Sequence, residues 1–372
     1  MATTTTNFGF DVPTSSDLVK NGATAISTLG QDIDTFLAGS PNKTAGKNVL
    51  INGDFRVNQR QTGVVTTSTS MVVDRFSFNY SGGTCSGEQK TFAAGAGITG
   101  LGLVKNYLEY ISSGQSGTSD QLRCRGAFED VYTYAGETVT FSFYAKAASG
   151  TPKVAVGITQ NFGSGGSASA TIKAGEVTLS TSWARYTVTF TIPSISGKTI
   201  GAGNYNTVQF WMSAGSAVDS GLWGIGVQNN TFQFTGFQLE QGSTATPFQT
   251  ATGTLQGELA ACQRYYYRVS TNGNYQIYGG TGVGQSTTRV TVVLKHPVTL
   301  RTASASLDYS NVYPSDGTNI LTSSISSVYA VNQTFNDAAL NIDFSSASPT
   351  QYRPYFLQNT TSTAYYGFSA EL

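Results

Sequence analysis

Apolar and polar residues alternate along much of this chain with a period of two, which is typical of antiparallel strands with one solvent-exposed face. In the clearest run, Thr138–Lys146, one face collects Val139, Phe141, Phe143 and Ala145. Arg185–Ile192 repeats the pattern, and Thr231–Phe237 follows it with a break in phase before its last residue. Glycine-rich turns separate the runs. We therefore predict an all-β protein in which residues 48–250 form a two-sheet jelly-roll β-sandwich.

A second, smaller β domain is predicted over residues 251–372. Its strands are expected at Val290–Leu294, Val298–Leu300, Tyr352–Leu357 and Ala364–Ala370. Pro297 separates the first two, because proline has no amide hydrogen to donate to a sheet. One or two helical turns over Glu258–Tyr267 are expected to lead into this domain.

One helix is predicted, over residues 16–37, and it separates an extended N-terminal arm (residues 1–15) from a linker that ends at residue 47. Its apolar residues follow the spacing of the a and d positions of a coiled coil. They are Val19, Ile26, Leu29, Ile33 and Phe36. We predict that this stripe joins copies of the chain. The alternative is a helix docked on its own domain, and the pattern does not fix the number of strands in a coiled coil.

Composition narrows the class of protein. Charged residues are 11% of the 372 residues, against about 25% in an average soluble domain. The net charge is zero with no basic tract, which argues against nucleic-acid binding. No apolar run approaches the ~18 residues of a membrane-spanning helix, so no membrane span is expected. The three cysteines, Cys85, Cys124 and Cys262, are expected to be buried thiols, with a Cys85–Cys124 disulfide as the alternative.

Catalytic chemistry has little support in the sequence. The single histidine, His296, falls in a strand pattern and has no nucleophile motif near it. The adjacent carboxylates Glu129 and Asp130 would point to opposite faces of a strand, so they make a poor catalytic pair. We do not expect this chain to be an enzyme.

Two phrases bracket the sandwich and carry a family resemblance. The first is NVLINGDFRVNQRQTG at Asn48–Gly63, followed by VDRF at Val73–Phe76. The second is TGFQLEQGSTATPF at Thr235–Phe248, followed by GELAACQRYY at Gly257–Tyr266. Together they resemble the β-sandwich modules of tailed-bacteriophage tail fibres and receptor-binding proteins. In those proteins, similar segments open and close a jelly roll like that of carbohydrate-binding modules and lead into the next domain.

The resemblance implies a function and a location. It implies a structural protein of the virion, of tail-fibre type, that forms a homotrimer and attaches to glycans of the host surface. Other virion proteins would be bound through the N-terminal arm. The main alternative is a head fibre or capsid decoration protein with no role in host binding. A secreted bacterial carbohydrate-binding protein is a further alternative.

The resemblance also implies two kinds of site. A structural calcium would be held by Asn52, Asp54 and Glu240, whereas the alternative is that Asn52 forms a turn and Glu240 pairs with an arginine. For glycan binding, aromatic rings would stack on a sugar while amides bind its hydroxyl groups. The candidates are Trp211, Trp223, Tyr205 and Asn206, with Tyr107 as another ring. Each tryptophan also fits a place in the core.

Overall fold

The structure is a computed structural model that describes residues 3–4, 11–12, 21–39, 46–60, 63–102 and 104–372. Most of the predicted N-terminal arm, Val19 and residues 40–45 of the predicted linker lie outside these residues. Within them, no helix combines the length and apolar character that a membrane crossing requires. Two short strands of the arm, β1 (Thr3–Thr4) and β2 (Asp11–Val12), pair with each other.

The first β domain is a sandwich of two antiparallel sheets. Its strands, in chain order, are β3 (Met71–Val73), β4 (Phe76–Ser81), β5 (Thr84–Thr91), β6 (Asn106–Ser113), β7 (Gln121–Glu129), β8 (Thr138–Ala147), β9 (Lys153–Asn161), β10 (Ala170–Thr178), β11 (Ala184–Thr191), β12 (Tyr205–Ala214) and β13 (Thr231–Gln241). The six-stranded sheet has the order β10-β9-β12-β7-β4-β3, and the five-stranded sheet has the order β11-β8-β13-β6-β5. The predicted all-β jelly-roll sandwich is confirmed.

The core of the sandwich comes from the residues that alternation places on the inner faces. All four apolar residues predicted to share one face of β8 lie in this core. The break in phase along β13 is a β-bulge between Thr235 and Gln238, where Gly236 adopts a φ of 66°. The extra residue turns Phe237 back to the inner face. Its ring lies 5.0 Å from the Phe55 ring and 5.4 Å from the Phe210 ring, so the bulge completes an aromatic cluster.

The N-terminal helix α1 spans Gly22–Gly39, within two residues of the predicted C-terminal end. Of the predicted interface residues, Ile26 is 65% exposed and Ile33 is 40% exposed, whereas Leu29 is half-buried. Phe36 lies in the helix. The helix therefore presents two large apolar side chains, one heptad apart, to solvent.

The smaller β domain follows helix α2 (Leu255–Gln263), which begins three residues before the predicted helical turns. Thr254 caps this helix, because its hydroxyl accepts a hydrogen bond from the Gly257 amide at 3.0 Å. The strands of this domain are β14 (Tyr266–Ser270), β15 (Ile277–Ser286), β16 (Arg289–Lys295), β17 (Ser306–Ser310), β18 (Tyr313–Ser315), β19 (Ile325–Val331), β20 (Asp337–Phe344), β21 (Pro354–Gln358) and β22 (Tyr365–Ser369). They form sheets in the orders β14-β22-β17 and β18-β21-β15-β16-β20-β19.

The strand predicted at Val298–Leu300 is wrong. This segment is irregular, and its buried Leu300 inserts into the core of the smaller domain. The Leu300 amide donates to the Phe335 carbonyl at 2.8 Å, outside any ladder. A short apolar run can be buried in a connection as well as in a strand. Pro297 favours a connection here, because it has no amide hydrogen for a sheet.

The two β domains meet through residues of the two sequence phrases. The Arg75 guanidinium pairs with Glu371, donates to the Ala127 carbonyl at 2.7 Å and lies 3.4 Å from the centre of the Tyr265 ring. Its side chain is only 2% exposed. Arg60 likewise lies 3.5 Å from the centre of the Tyr266 ring. Each of these arginines comes from the first domain and stacks on a tyrosine of the second.

Carboxylates complete the contact between the domains. Arg60 pairs with both Asp74 and Glu371, at 3.2 and 3.3 Å. The buried Glu258 of α2 accepts the Asn52 amide at 2.6 Å and the Thr252 amide at 2.7 Å. The opening phrase of the sandwich is therefore hydrogen-bonded directly to the helix that starts the next domain.

Candidate functional site

The outer face of the six-stranded sheet is a polar and aromatic surface that several strands of the sandwich build together. Along β7, Leu122 and Cys124 point into the core, so Arg123 and Arg125 point outward. Along β12, Val208, Phe210 and Met212 lie in the core, so Gln209 and Trp211 point outward. The outer face therefore combines charged, amide, hydroxyl and aromatic groups.

The register of β12 against its two neighbours fixes the arrangement of this face. Four outward residues of β12 each lie between one residue of β9 and one of β7. In order, the rows are Asn161–Tyr205–Glu129, Thr159–Thr207–Ala127, Gly157–Gln209–Arg125 and Ala155–Trp211–Arg123. On β4, Ser77 lies opposite Arg125, and Asn79 lies opposite Arg123. We call the residues of these four rows, with Ser77 and Asn79, the sheet face.

Gln209 is the centre of a hydrogen-bond network on the sheet face. Its Oε1 accepts from Arg123 Nη1 at 2.9 Å and from Trp211 Nε1 at 3.1 Å. Its Nε2 donates to Thr159 Oγ1, and this hydroxyl also pairs with that of Thr171 at 2.8 Å. The network fixes the amide and guanidinium groups before any ligand is present, which lowers the ordering cost of binding.

Both predicted tryptophans lie at one end of the sheet face, and both are fully buried. Their rings stack with centroids 4.5 Å apart, and Trp223 comes from the segment after β12 that folds back over the sheet. Gly157 leaves room for this ring, since a Cβ there would lie 2.5 Å from it. Neither tryptophan offers an open ring to a sugar, so their predicted stacking role is corrected to a structural one.

The other two predicted glycan residues differ from each other. Asn206 points inward and is fully buried, and its Nδ2 donates to the Asp130 carbonyl at 3.1 Å. Tyr205 lies on the sheet face and is half-buried, with its hydroxyl 3.3 Å from Asn161 Nδ2. Of the predicted set, Tyr205 is therefore the aromatic residue that the structure leaves accessible on the sheet face.

The sequence reasoning missed Arg123, Arg125 and Trp183, although it named Tyr107, which packs against Trp183. Arg123 and Arg125 could have been found, because they alternate with core residues in a chain that has few charges. Trp183 is the one tryptophan that is not fully buried, and it packs with Phe92 and Tyr107 at centroid distances of 5.5 and 5.8 Å. This second aromatic cluster lies on the five-stranded sheet, away from the sheet face.

The predicted calcium ligands each bind other groups of the chain. Asn52 forms a turn, with its Oδ1 accepting the Val57 amide at 2.9 Å. Asp54 pairs with Arg56, and burial raises the pKa of the Asp54 carboxyl. Glu240 is bound by Thr246 and Gln238 and pairs with Lys47 at 3.2 Å, rather than with an arginine. Among the described residues, no group of three histidine, cysteine or acidic residues could hold a metal ion.

The remaining residues considered for chemistry have structural environments. His296 is nearly buried between Tyr267 and Phe368, and its Nδ1 lies 2.9 Å from the Tyr267 hydroxyl. Burial lowers the pKa of this histidine. The three cysteines are free and buried, so the alternative of a Cys85–Cys124 disulfide is not realised. Glu129 pairs with Arg264 of the second domain at 2.9 Å.

Comparison with known proteins gives one match to a family model. Residues 128–201 match the family model of a carbohydrate binding domain. This segment contains β8, β9, β10 and β11 of the sandwich, and β9 contributes Thr159 and Asn161 to the sheet face. No curated protein sequence matches the chain.

Solved structures with similar coordinates cover about half of this chain. A family 4 carbohydrate-binding module is 18% identical, covers 52% of this chain and 99% of its own, and has a TM-score of 0.29. A Clostridium thermocellum family 11 module, in complex with a mixed-linked tetrasaccharide, is 11% identical, with 50% and 98% covered and a TM-score of 0.30. Tailspike protein 4 of bacteriophage CBA120 is 10% identical, with 53% and 22% covered and a TM-score of 0.32. We draw no functional conclusion from these structures, because their TM-scores are low.

Proposed function

We propose that this chain binds carbohydrate through the sheet face and serves as a host-attachment protein of tail-fibre type on a phage particle. Carbohydrate binding is supported by the match of residues 128–201 to a carbohydrate binding domain, because this segment includes part of the sheet face. The phage role is supported by the two phrases that bracket the sandwich, at Asn48–Gly63 and Thr235–Phe248.

Binding at the sheet face uses groups that are already held in place. Tyr205 supplies a ring against which the apolar side of a sugar packs. Thr159 and Arg123 are half-buried and supply hydroxyl and guanidinium groups for hydrogen bonds to sugar hydroxyls, while the buried Gln209 holds both side chains in place. A shallow polar face of this kind gives modest affinity for a single chain.

Several copies of the chain would raise this affinity by avidity. We propose a homotrimer joined at least in part by α1, since Ile26 and Ile33 would become buried between helices. Light scattering of the full chain should then give about three times 39.2 kDa. Replacing both isoleucines by aspartate should give the monomer mass, whereas Gln31→Asp on the same helix should leave the trimer intact. A trimer that survives the double replacement would place the subunit contacts in the β domains.

A glycan array tests carbohydrate binding. The full chain should bind at least one glycan, and Tyr205→Ala should weaken that binding about tenfold, or ~1.4 kcal/mol. Tyr309→Ala is the matched control, because Tyr309 is 42% exposed on a strand of the smaller domain. If no glycan binds the intact oligomer, the attachment role is refuted and the head-fibre or decoration role is favoured. The proposed role needs no catalysis, so the viscosity of a bound polymer should stay constant on incubation.

A further inference from the structure

The positive charge of two arginines on the sheet face indicates which class of carbohydrate it binds. Arg125 lies in the third row, between Gln209 and Ser77, and its side chain is half-buried. Among the described residues, it has no hydrogen-bond or ion-pair partner. Arg60 and Arg75 at the domain contact, by contrast, each pair with a carboxylate. The nitrogens of Arg125 are not among the buried unpaired atoms of the described residues, so its guanidinium is open to solvent and to a ligand.

A second cation strengthens the positive charge at this place. Arg123 is two residues away on the same strand, and its Nε is buried without a partner. Burial, and then the charge of Arg125, lower the pKa of Arg123 to about 10, so Arg123 is cationic at neutral pH. Two like charges that the fold holds side by side create a positive potential in the middle of the sheet face.

The nearby carboxylates do not cancel this charge. Asp219 is the acidic neighbour of Arg123, and it also accepts the Trp223 Nε1 hydrogen bond at 2.6 Å. Glu371 and Leu372 both line the cavity beside Arg125. The two carboxylate oxygens of Glu371 are bound by Arg60 and Arg75, and no ion pair among the described residues joins Arg125 to Leu372. The donors of Arg125 therefore stay available to a ligand.

The space beside Arg125 is suited to an acidic group. A cavity of about 110 Å³ adjoins it, lined also by Ser77 and Thr207. Since one water molecule takes about 30 Å³ in the liquid, this cavity has room for a carboxylate. The guanidinium can bind a carboxylate with two parallel hydrogen bonds, and the two hydroxyl groups can bind its sugar.

We propose that the sheet face binds an acidic polysaccharide, with a uronic acid carboxylate on Arg125 and the adjoining sugar against Tyr205. This inference rests on the proposed carbohydrate-binding function and adds the chemistry of its ligand. It also predicts salt dependence, because an ion pair at a solvent-accessible face is screened.

The test compares polymers that differ only in charge. The probes are hyaluronan, alginate and polygalacturonate, each in its native form and after reduction of its carboxyl groups to alcohols. Immobilised polymers are titrated with the full chain, with Arg125→Gln and with Lys146→Gln. The last variant removes the same charge from the five-stranded sheet, away from the sheet face. Thermal unfolding of each variant verifies that it is folded.

We expect at least one native polymer to bind tenfold or more tightly than its reduced form. Arg125→Gln should weaken binding of that native polymer tenfold or more and leave the reduced form unchanged, while Lys146→Gln should bind as the parent does. Equal binding of native and reduced polymers, or no effect of Arg125→Gln, would overturn the inference and leave carbohydrate binding intact. Binding of neutral glycans on the array but of none of the acidic polymers would also overturn it. No binding to any glycan would overturn the proposed function itself.

Discussion

The contact between Arg75 and Glu371 gives the sharpest prediction about stability, because it joins the two β domains in a nearly dry place. The Arg75 side chain is 2% exposed and that of Glu371 is 12% exposed. Removing one member of a buried pair costs about 3–5 kcal/mol when the other charge is left unpaired. The low end of this range applies here, because Arg60 still pairs with Glu371 at 3.3 Å. Loss of the stacking on Tyr265 adds about 0.5–2 kcal/mol. Since methionine replaces the aliphatic part of the side chain, Arg75→Met should lower the free energy of unfolding by about 3.5–5 kcal/mol.

The positions of the tryptophans allow the two domains to be followed separately. Trp183, Trp211 and Trp223 all lie in the first domain, so tryptophan fluorescence reports its unfolding in urea, while far-ultraviolet circular dichroism reports both domains. The two signals should coincide in the parent chain. In Arg75→Met, the circular dichroism should begin to fall at lower urea than the fluorescence, because the second domain has lost its main ionic contact with the first.

A double-mutant cycle with Glu371→Gln isolates the ion pair. The two single replacements remove the same interaction, so the double variant should lose less stability than the sum of the two by at least about 1 kcal/mol. Lys295→Gln serves as the control, since its pair with Asp337 is exposed and should contribute less than about 1 kcal/mol. Additive losses, or a loss below about 1 kcal/mol for Arg75→Met, would refute the view that this pair couples the domains.

Three further outcomes are expected. Burial raises the pKa of Asp74 to about 6, so the neutral carboxyl stabilises the fold fully below about pH 4 and this stabilisation is lost as the pH rises through 6. The parent should therefore lose about 3 kcal/mol of unfolding free energy between pH 4 and 7 that Asp74→Asn keeps. A difference between their urea midpoints that stays constant with pH would contradict this. Phe237→Ala should cost about 3–5 kcal/mol in urea unfolding, because it empties the centre of the aromatic cluster, and a loss near 1 kcal/mol would contradict that role. Gly157→Ala should displace the Trp223 ring and increase acrylamide quenching, whereas unchanged quenching would mean that the ring is not seated on this glycine.

The strands of this protein are largely predictable because their pattern is local. In a two-layer sandwich, each strand buries one face, so the period of two in β8 and β11 follows directly from where the core lies. Even the bulge in β13 is visible as a break in phase before Phe237. Val298–Leu300 was wrongly predicted as a strand, because a buried leucine in a connection has the same local pattern as one in a strand.

The site is less predictable because its geometry depends on contacts that are distant in sequence. Trp211 occupies an outward position of β12, which favours a ligand-binding ring. It is buried only because Trp223, twelve residues later, folds back over it. Arg125 faces Gln209 and Ser77 from two other strands, and no spacing within β7 reveals that it has no acidic partner. Alternation predicts which way a side chain points, but the partner it meets depends on the sheet order.

The two phrases that carry the family resemblance have a different role from the sheet face. Three contacts between the phrases and their extensions join the domains. Arg60 stacks on Tyr266, Arg75 stacks on Tyr265, and the Asn52 amide donates to Glu258. The sheet face lies outside both phrases, although its Glu129 pairs with Arg264 of the second phrase and its Ala127 carbonyl accepts from Arg75. Arg125 and Tyr205, the residues proposed to contact the ligand, have no ion pair with either phrase among the described residues. It follows that replacing Arg125 or Tyr205 should weaken glycan binding while the unfolding of the chain stays nearly the same.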